Sequence, residues 1–287
     1  MNYQERFITV PDELKVFVRD YAPVGAVRGL PVICLHGLTR NSADFEAVAP
    51  RIAALGRRVL AFDVRGRGLS DRDPMPQRYV PPVYAADVVH AMNELGVDRA
   101  VFVGTSMGGL ITMLVAMMAQ ARVAAVVLND IGPVVNTSGI SRIATYVGKT
   151  PPQDGWAHLI ALIKGTQGAA FPDADDAFWE TMARRTGREL PDGRIAFDYD
   201  PAIAHIFEQP AAAAAPDLTP IFKMLDNAPL LVVHGVLSDI LLPEGIAAMK
   251  ALRPDLEVAD VPRVGHAPTL EEPAAWDAMA RFFSRVP

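Results

Sequence analysis

Along most of the chain, short runs of consecutive apolar residues alternate with stretches of helical periodicity. The apolar runs cover residues 31–35, 58–62, 100–103, 123–128, 230–233 and 256–261. Runs without an outward polar face belong to strands covered on both sides, as in a parallel sheet sandwiched between helices. The intervening periodicity predicts helices over 43–55, 83–95, 107–119, 243–252 and 273–285. At the N-terminus two strand-like stretches, 6–10 and 14–21, flank Pro11-Asp12-Glu13 and predict a hairpin. The expected architecture is α/β, a mostly parallel, doubly wound sheet that begins with an antiparallel pair.

The alternation fails between Gly132 and about Asn227, where helix formers, Pro, Gly and aromatics replace the strand signal. The expected organisation is a core of residues 1–132 and 227–287 carrying a helical insertion over 133–226. Within the insertion, Ala211 to Ala215 is a low-complexity run, closed by Pro216 and Pro220, that reads as a helix end and linker. The segment Leu110 to Leu128 is the most membrane-like, but Gln120 and Arg122 divide it into two buried elements.

Composition narrows the function classes. In a chain of 287 residues, 51% are hydrophobic and 21% charged, the balance of a globular protein with a large core. The net charge of −6 comes without a basic stripe, so no nucleic-acid or membrane partner is expected. A single cysteine, Cys34, and a polar start without a signal-like run lead to the expectation of a cytoplasmic location. Cys34 falls mid-strand, where burial keeps a thiol inert.

The sharpest local signal is Gly104-Thr105-Ser106-Met107-Gly108-Gly109, which follows an apolar strand and opens a helix. A serine on such a tight strand-to-helix turn needs small neighbours, and the helix N-terminus points free N–H groups at any developing oxyanion. A serine hydroxyl also needs a base. Of six histidines, His266 lies in the loop between the last strand and last helix, where an imidazole can be aimed at the sheet edge. His90, His158 and His205 read as surface or packing residues, and His234 as a structural one.

The third member must be a carboxylate that fixes the imidazole tautomer. Asp239 follows the strand at 230–233 and precedes His266, giving the chain order Ser, Asp, His; it is the favoured acid. Asp130, at the end of the preceding strand, is the rival. The oxyanion hole should pair the Met107 N–H with that of Leu38 in the turn His36-Gly37-Leu38-Thr39, which His36 braces. The glycine-rich stretch Asp63 to Ser70 lacks the endings of phosphate- or dinucleotide-binding loops and reads as a tight loop anchored by arginines.

These residues resemble the α/β-hydrolase superfamily, in particular its capped esterases and C–C bond hydrolases. The resemblance rests on His36-Gly37, the loop Asp63 to Ser70, the elbow at Ser106, Asp239 and Gly265-His266. It implies that the insertion is a helical cap over the active site. The serine at the elbow disfavours epoxide hydrolases and haloalkane dehalogenases, which resemble one another in an aspartate nucleophile.

The expected chemistry is acyl transfer: Ser106 attacks a carbonyl, His266 takes its proton, and water releases the acid, with no metal or cofactor. The expected substrate is a small carboxylic ester with an apolar acyl or aromatic group. Phe171, Phe178, Trp179, Phe197, Tyr199, Phe207 and Phe222 are candidates for pocket or insertion core. A lactone or a diketone C–C bond, its carboxylate held by Arg142, Arg184 or Arg185, is the alternative, and a ligand-binding receptor on a hydrolase scaffold comes after it.

Overall fold

The computed structural model describes residues 3–208 and 217–287, so the alanine run at 211–215 and Pro216 lie outside the described residues. Eight strands form one sheet in the order β1-β2-β4-β3-β5-β6-β9-β10. β1 (Gln4–Thr9) and β2 (Lys15–Tyr21) pair antiparallel through the predicted turn, with Thr9 opposite Lys15. β2 also lies antiparallel to β4 (Val59–Phe62). From there the sheet is parallel through β3 (Val32–Leu35), β5 (Ala100–Thr105), β6 (Val123–Asn129), β9 (Leu230–Gly235) and β10 (Glu257–Val261).

Alternation along each strand feeds two cores. Ile33, Leu35, Leu60, Phe62 and Phe102 enter the one packed by α2 (Pro81–Glu94) and α3 (Met107–Ala119). Val32, Cys34, Val59, Ala61, Val101 and Val103 enter the other, beneath α1 (Val48–Ala54) and the C-terminal helix. Because both sheet faces are covered, β3, β4 and β6 are buried at every position, the physical origin of their uninterrupted apolar runs. Cys34 sits in this interior, where burial pushes its thiol pKa up and leaves it protonated.

The helix predicted over 43–55 is shorter than expected. Asn41 caps a 3-10 turn at Ser42–Phe45, and the α-helix begins only at Val48. The cause is tertiary: the Ser42 N–H donates to the buried Asp63 carboxylate at 2.6 Å, which ties this turn to the loop after β4.

Between β6 and β9 the chain forms α4 (Thr137–Tyr146), α5 (Trp156–Gln167) and α6 (Asp176–Thr186), then a hairpin of β7 (Gly187–Glu189) and β8 (Ile195–Phe197), and the single turn α7 (Thr219–Phe222). The hairpin is a departure from the all-helical reading. Arg188 and Glu189 are exposed on a three-residue strand, too short and too polar to leave a periodic signal. Backbone bonds from Gly68 N–H to Asp198 O (3.0 Å) and from Asp200 N–H to Gly66 O (2.7 Å) dock this region on the loop after β4. The chain closes with α8 (Pro243–Leu252) and α9 (Pro273–Phe283). Among the described residues no helix is long and apolar enough to cross a membrane.

Candidate active site

Ser106 stands between β5 and α3 with φ +52° and ψ −116°, a conformation that non-glycine residues adopt only under local constraint. The constraint is close packing. A Cβ on Gly108 would lie 2.0 Å from the Leu35 carbonyl oxygen, and one on Gly104 would lie 2.5 Å from the Gly108 backbone. Hydrogen side chains at both positions allow β3, β5 and α3 to converge under the serine, raising its hydroxyl above the sheet edge.

The loop after β10 brings His266 to the serine, with Nε2 at 2.8 Å from Ser106 Oγ. Its Nδ1 lies 2.8 Å from Asp130 Oδ2. A carboxylate oxygen accepts, so Nδ1 carries the proton and Nε2 is left as the acceptor for the serine hydroxyl. Asp130 directly follows β6, and φ +57° turns it out of the strand. Fully buried, it accepts from the Gly235 N–H at 2.9 Å and from the Ser238 hydroxyl at 2.5 Å.

In this geometry the carboxylate on the imidazole is Asp130, not the Asp239 expected from the sequence. Asp239 does not bond His266; its carboxylate takes a bidentate pair from Arg142 of α4, at 2.6 and 3.0 Å. Burial opposes the charge on Asp239, but the Arg142 hydrogen bond and charge outweigh it and hold the carboxyl below its ordinary pKa. Its backbone carbonyl accepts from Asn136 Nδ2 at 2.9 Å, so Asp239 anchors α4 to the core. Chain order permits either aspartate, because β6 and β9 are neighbours and both end near His266. What separates them is the direction in which each leaves its strand.

Three supporting roles go beyond the sequence reading, in which Arg142 stands only as a candidate partner of a substrate carboxylate. Ser238 holds Asp130 while its own Oγ accepts from the N–H groups of Ile240 and Leu241, at 3.1 and 3.0 Å. Arg142 draws Asp239 away. Asn129 reaches from the end of β6 to Thr105 Oγ1 (3.0 Å) and Pro268 O (2.7 Å), stitching the elbow to the histidine loop. A signal for the last existed: Asn129-Asp130 ends a run of six apolar residues, and polar groups that deep need partners.

The turn at His36 faces Ser106 from the other side. The Val64 N–H donates to His36 Nε2 at 3.0 Å, so the proton resides on Nδ1, which donates to Gly37 O at 2.7 Å. In a trans peptide the N–H opposes the C=O. His36 therefore fixes the Gly37–Leu38 peptide with the Leu38 N–H directed away from the imidazole. Met107 opens α3, so its N–H has no intrahelical acceptor.

Burial, aided by the Arg67 charge, lowers the His36 pKa to about 4 from its ordinary value of 6.5. Between these values the unfolded chain binds the proton more readily, so stability falls as pH falls through that window. The full effect is about 3 kcal/mol. Asp63 works in the opposite direction, since burial raises its pKa to about 6. Comparison with His36→Gln removes that background. From pH 7 to pH 4 the advantage of the wild type in urea unfolding is expected to shrink by about 3 kcal/mol. A gap independent of pH would show that His36 is not held neutral.

A cavity of about 160 Å³ opens at Ser106 and His266. Its walls are Leu38, Phe45 and Leu270 from the core with Ile143, Leu162, Ile163, Phe171, Met182, Phe197 and Tyr199 from the insertion, and Thr150, Thr166, Gln167 and Tyr146 add polar groups. Of the aromatic candidates, Phe171, Phe197 and Tyr199 line it, whereas Phe178 and Trp179 pack behind Phe171 and Phe222 is core. The cavity arginines are all paired: Arg142 with Asp239, Arg185 with Glu271 at 2.6 Å, and Arg40 with Asp44 at 2.6 Å. Arg184 stacks on Trp156, its guanidinium 4.0 Å from the ring centroid. His234 bonds Asp260, and His90 and His158 bond backbone carbonyls.

The sheet order, the strained serine elbow and the histidine loop are those of the alpha/beta hydrolase fold, and the model of that family matches residues 31–273; the chain belongs to this family. Among its relatives is a 3-hydroxybutyrate-oligomer hydrolase from Cupriavidus necator, 35% identical over 260 residues and covering 88% of each chain. A 2-(acetamidomethylene)succinate hydrolase from Mesorhizobium japonicum is 27% identical over 239 residues, covering 82% of this chain and 81% of the relative. The crystal structure of an alpha/beta hydrolase from Novosphingobium aromaticivorans superposes with a TM-score of 0.93 at 43% identity, covering 99% of both chains.

Proposed function

We propose that this hydrolase cleaves small carboxylic esters through an acyl-enzyme, with Ser106 as nucleophile, His266 as general base and Asp130 as the orienting acid. The observation that carries the reading is the unbroken relay from Asp130 Oδ2 through the His266 ring to Ser106 Oγ, with 2.8 Å at each step. Ser106 attacks the ester carbonyl as its proton passes to Nε2, and the N–H groups of Leu38 and Met107 take up the oxyanion. His266 then protonates the leaving alcohol. Water, activated by the same nitrogen, releases the acid. The insertion over 133–226 acts as a cap that closes the cavity on the substrate.

An ester is favoured over a carboxylate-bearing diketone because each arginine lining the cavity already pairs with a carboxylate of the chain, so a substrate carboxylate would have to share its partner. The relative named for 3-hydroxybutyrate oligomers supports the same choice, since oligomers of a hydroxy acid are joined by esters. A cavity of about 160 Å³ is close to the size, ~150 Å³, of an engineered protein cavity that accepts benzene. Across p-nitrophenyl esters, kcat/KM is therefore expected to be highest for acyl chains of up to about six carbons and to fall beyond them. Rapid fluorophosphonate labelling at Ser106 should accompany it. An inert Ser106 with no ester turnover would instead favour a ligand-binding role.

A further inference from the structure

The glycine-rich loop after β4 contains a cation that the reading above leaves without a task. Arg67 is fully buried, and among the described residues no carboxylate lies within ion-pair distance of it. An unpaired interior charge is costly, so its remaining contacts must account for its place. Nε donates to Leu38 O at 2.9 Å, and Nη1 donates to Arg65 O at 2.8 Å and to the Tyr84 hydroxyl at 3.0 Å. Nη2 lies 3.7 Å from Met107 Sδ. The guanidinium also rests over the Tyr84 and Tyr79 rings, at 4.9 and 5.8 Å from their centroids.

Two of these partners, Leu38 and Met107, are the residues whose N–H groups form the oxyanion hole in the proposed mechanism. We propose that Arg67 is the positioning residue of that hole. It clamps the Leu38–Thr39 peptide by its carbonyl while His36 clamps the Gly37–Leu38 peptide, so both peptide planes flanking the Leu38 Cα are held. With a third prong on Met107 it sets the spacing of the two donors, and its charge, undiluted by a carboxylate, favours the transition state in which negative charge appears. The backbone of Gly66 and Gly68 is bonded to Asp200 and Asp198 of the insertion, so docking of the insertion holds the arginine in register.

This inference rests on the serine-hydrolase reading, and the test separates the two. The full chain and its Arg67→Met and Arg67→Lys variants are assayed on p-nitrophenyl butanoate. They are also titrated with a trifluoromethyl ketone and with the matching methyl ketone. Ser106 Oγ adds to the activated ketone, and its proton passes to His266, leaving a tetrahedral oxyanion in the hole; the methyl ketone stays trigonal. For Arg67→Met, kcat is expected to fall about 10- to 100-fold with KM within about threefold, below the loss from deleting a donor outright. Affinity for the trifluoromethyl ketone should fall in step with kcat, affinity for the methyl ketone should hold, and Arg67→Lys should recover part of the loss. A folded Arg67→Met enzyme with unchanged kcat, or equal weakening of both ketones, overturns the proposal.

If Arg67→Met does not fold, Met107→Leu carries the test, because it removes the sulfur contact and keeps the backbone donor. A loss confined to kcat and the trifluoromethyl ketone supports the role, and unchanged values refute it. A wild-type protein that neither turns over the ester nor binds the activated ketone refutes the serine-hydrolase reading itself.

Discussion

Replacing Asp130 by asparagine is expected to lower kcat by about ten-thousandfold, the precedent for removing the orienting charge of such a triad while keeping its shape. The Asp130 oxygen nearest His266 accepts from both the imidazole Nδ1 and the Ser238 hydroxyl. An amide nitrogen there would face two donors, and an amide oxygen alone could not supply the negative charge that the imidazolium needs. The favoured ring tautomer would then put the proton on Nε2, where it blocks deprotonation of Ser106. Asp239→Asn is expected to behave differently. The Arg142 pair it weakens is about half exposed and worth about 0–1 kcal/mol, so kcat should hold within a few-fold while KM drifts upward as α4 loosens. Steady-state kinetics on both variants, each shown folded by circular dichroism, decide the matter. A larger kcat loss for Asp239→Asn would return the acid to the end of β9.

Ser106→Ala should be more damaging still, with kcat reduced about a millionfold, because the members of a triad act as a unit and the bond-forming atom is gone. His266→Ala is expected to follow within about tenfold. Neither change removes much packing, and the strained elbow is held by Gly104, Gly108 and the neighbouring strands rather than by the serine hydroxyl. Stability in urea unfolding should therefore change by no more than about 1 kcal/mol for Ser106→Ala, and by about 1–3 kcal/mol for His266→Ala, which takes a hydrogen-bond donor away from the buried Asp130 carboxylate. Ser106→Ala retaining a tenth of wild-type turnover would remove the serine from the mechanism.

The two experiments divide the site along the line between what was legible in the sequence and what was not. Ser106 announces itself because its chemistry demands a local structure, a tight turn between an apolar strand and a helix, and that demand is met by neighbours within two residues. His266 is legible for a related reason: it is the histidine whose loop must emerge from the last strand at the open edge of the sheet. In the same way, covered strands leave continuous apolar runs, and the parallel order of the sheet follows from them.

The acid could not be read this way. Asp130 and Asp239 occupy equivalent places, each just past the end of an adjacent strand, and both satisfy the required chain order. Their roles are separated by partners distant in sequence: Ser238 and the Gly235 N–H claim Asp130 for the histidine, and Arg142, 97 residues before Asp239, turns that carboxylate to the insertion. The same holds for the β7–β8 hairpin and for Arg67: the sequence shows its loop to be tight and anchored by arginines, but not which arginine reaches which partner. The sequence by itself therefore determined the sheet, the elbow and the histidine, since each follows from periodicity or from bonds among near neighbours. Which aspartate faces the imidazole, and which arginine reaches the turn at Leu38, was decided only by the tertiary structure, because a carboxylate or guanidinium takes its role from whichever opposite charge or donor the fold brings within about 3 Å.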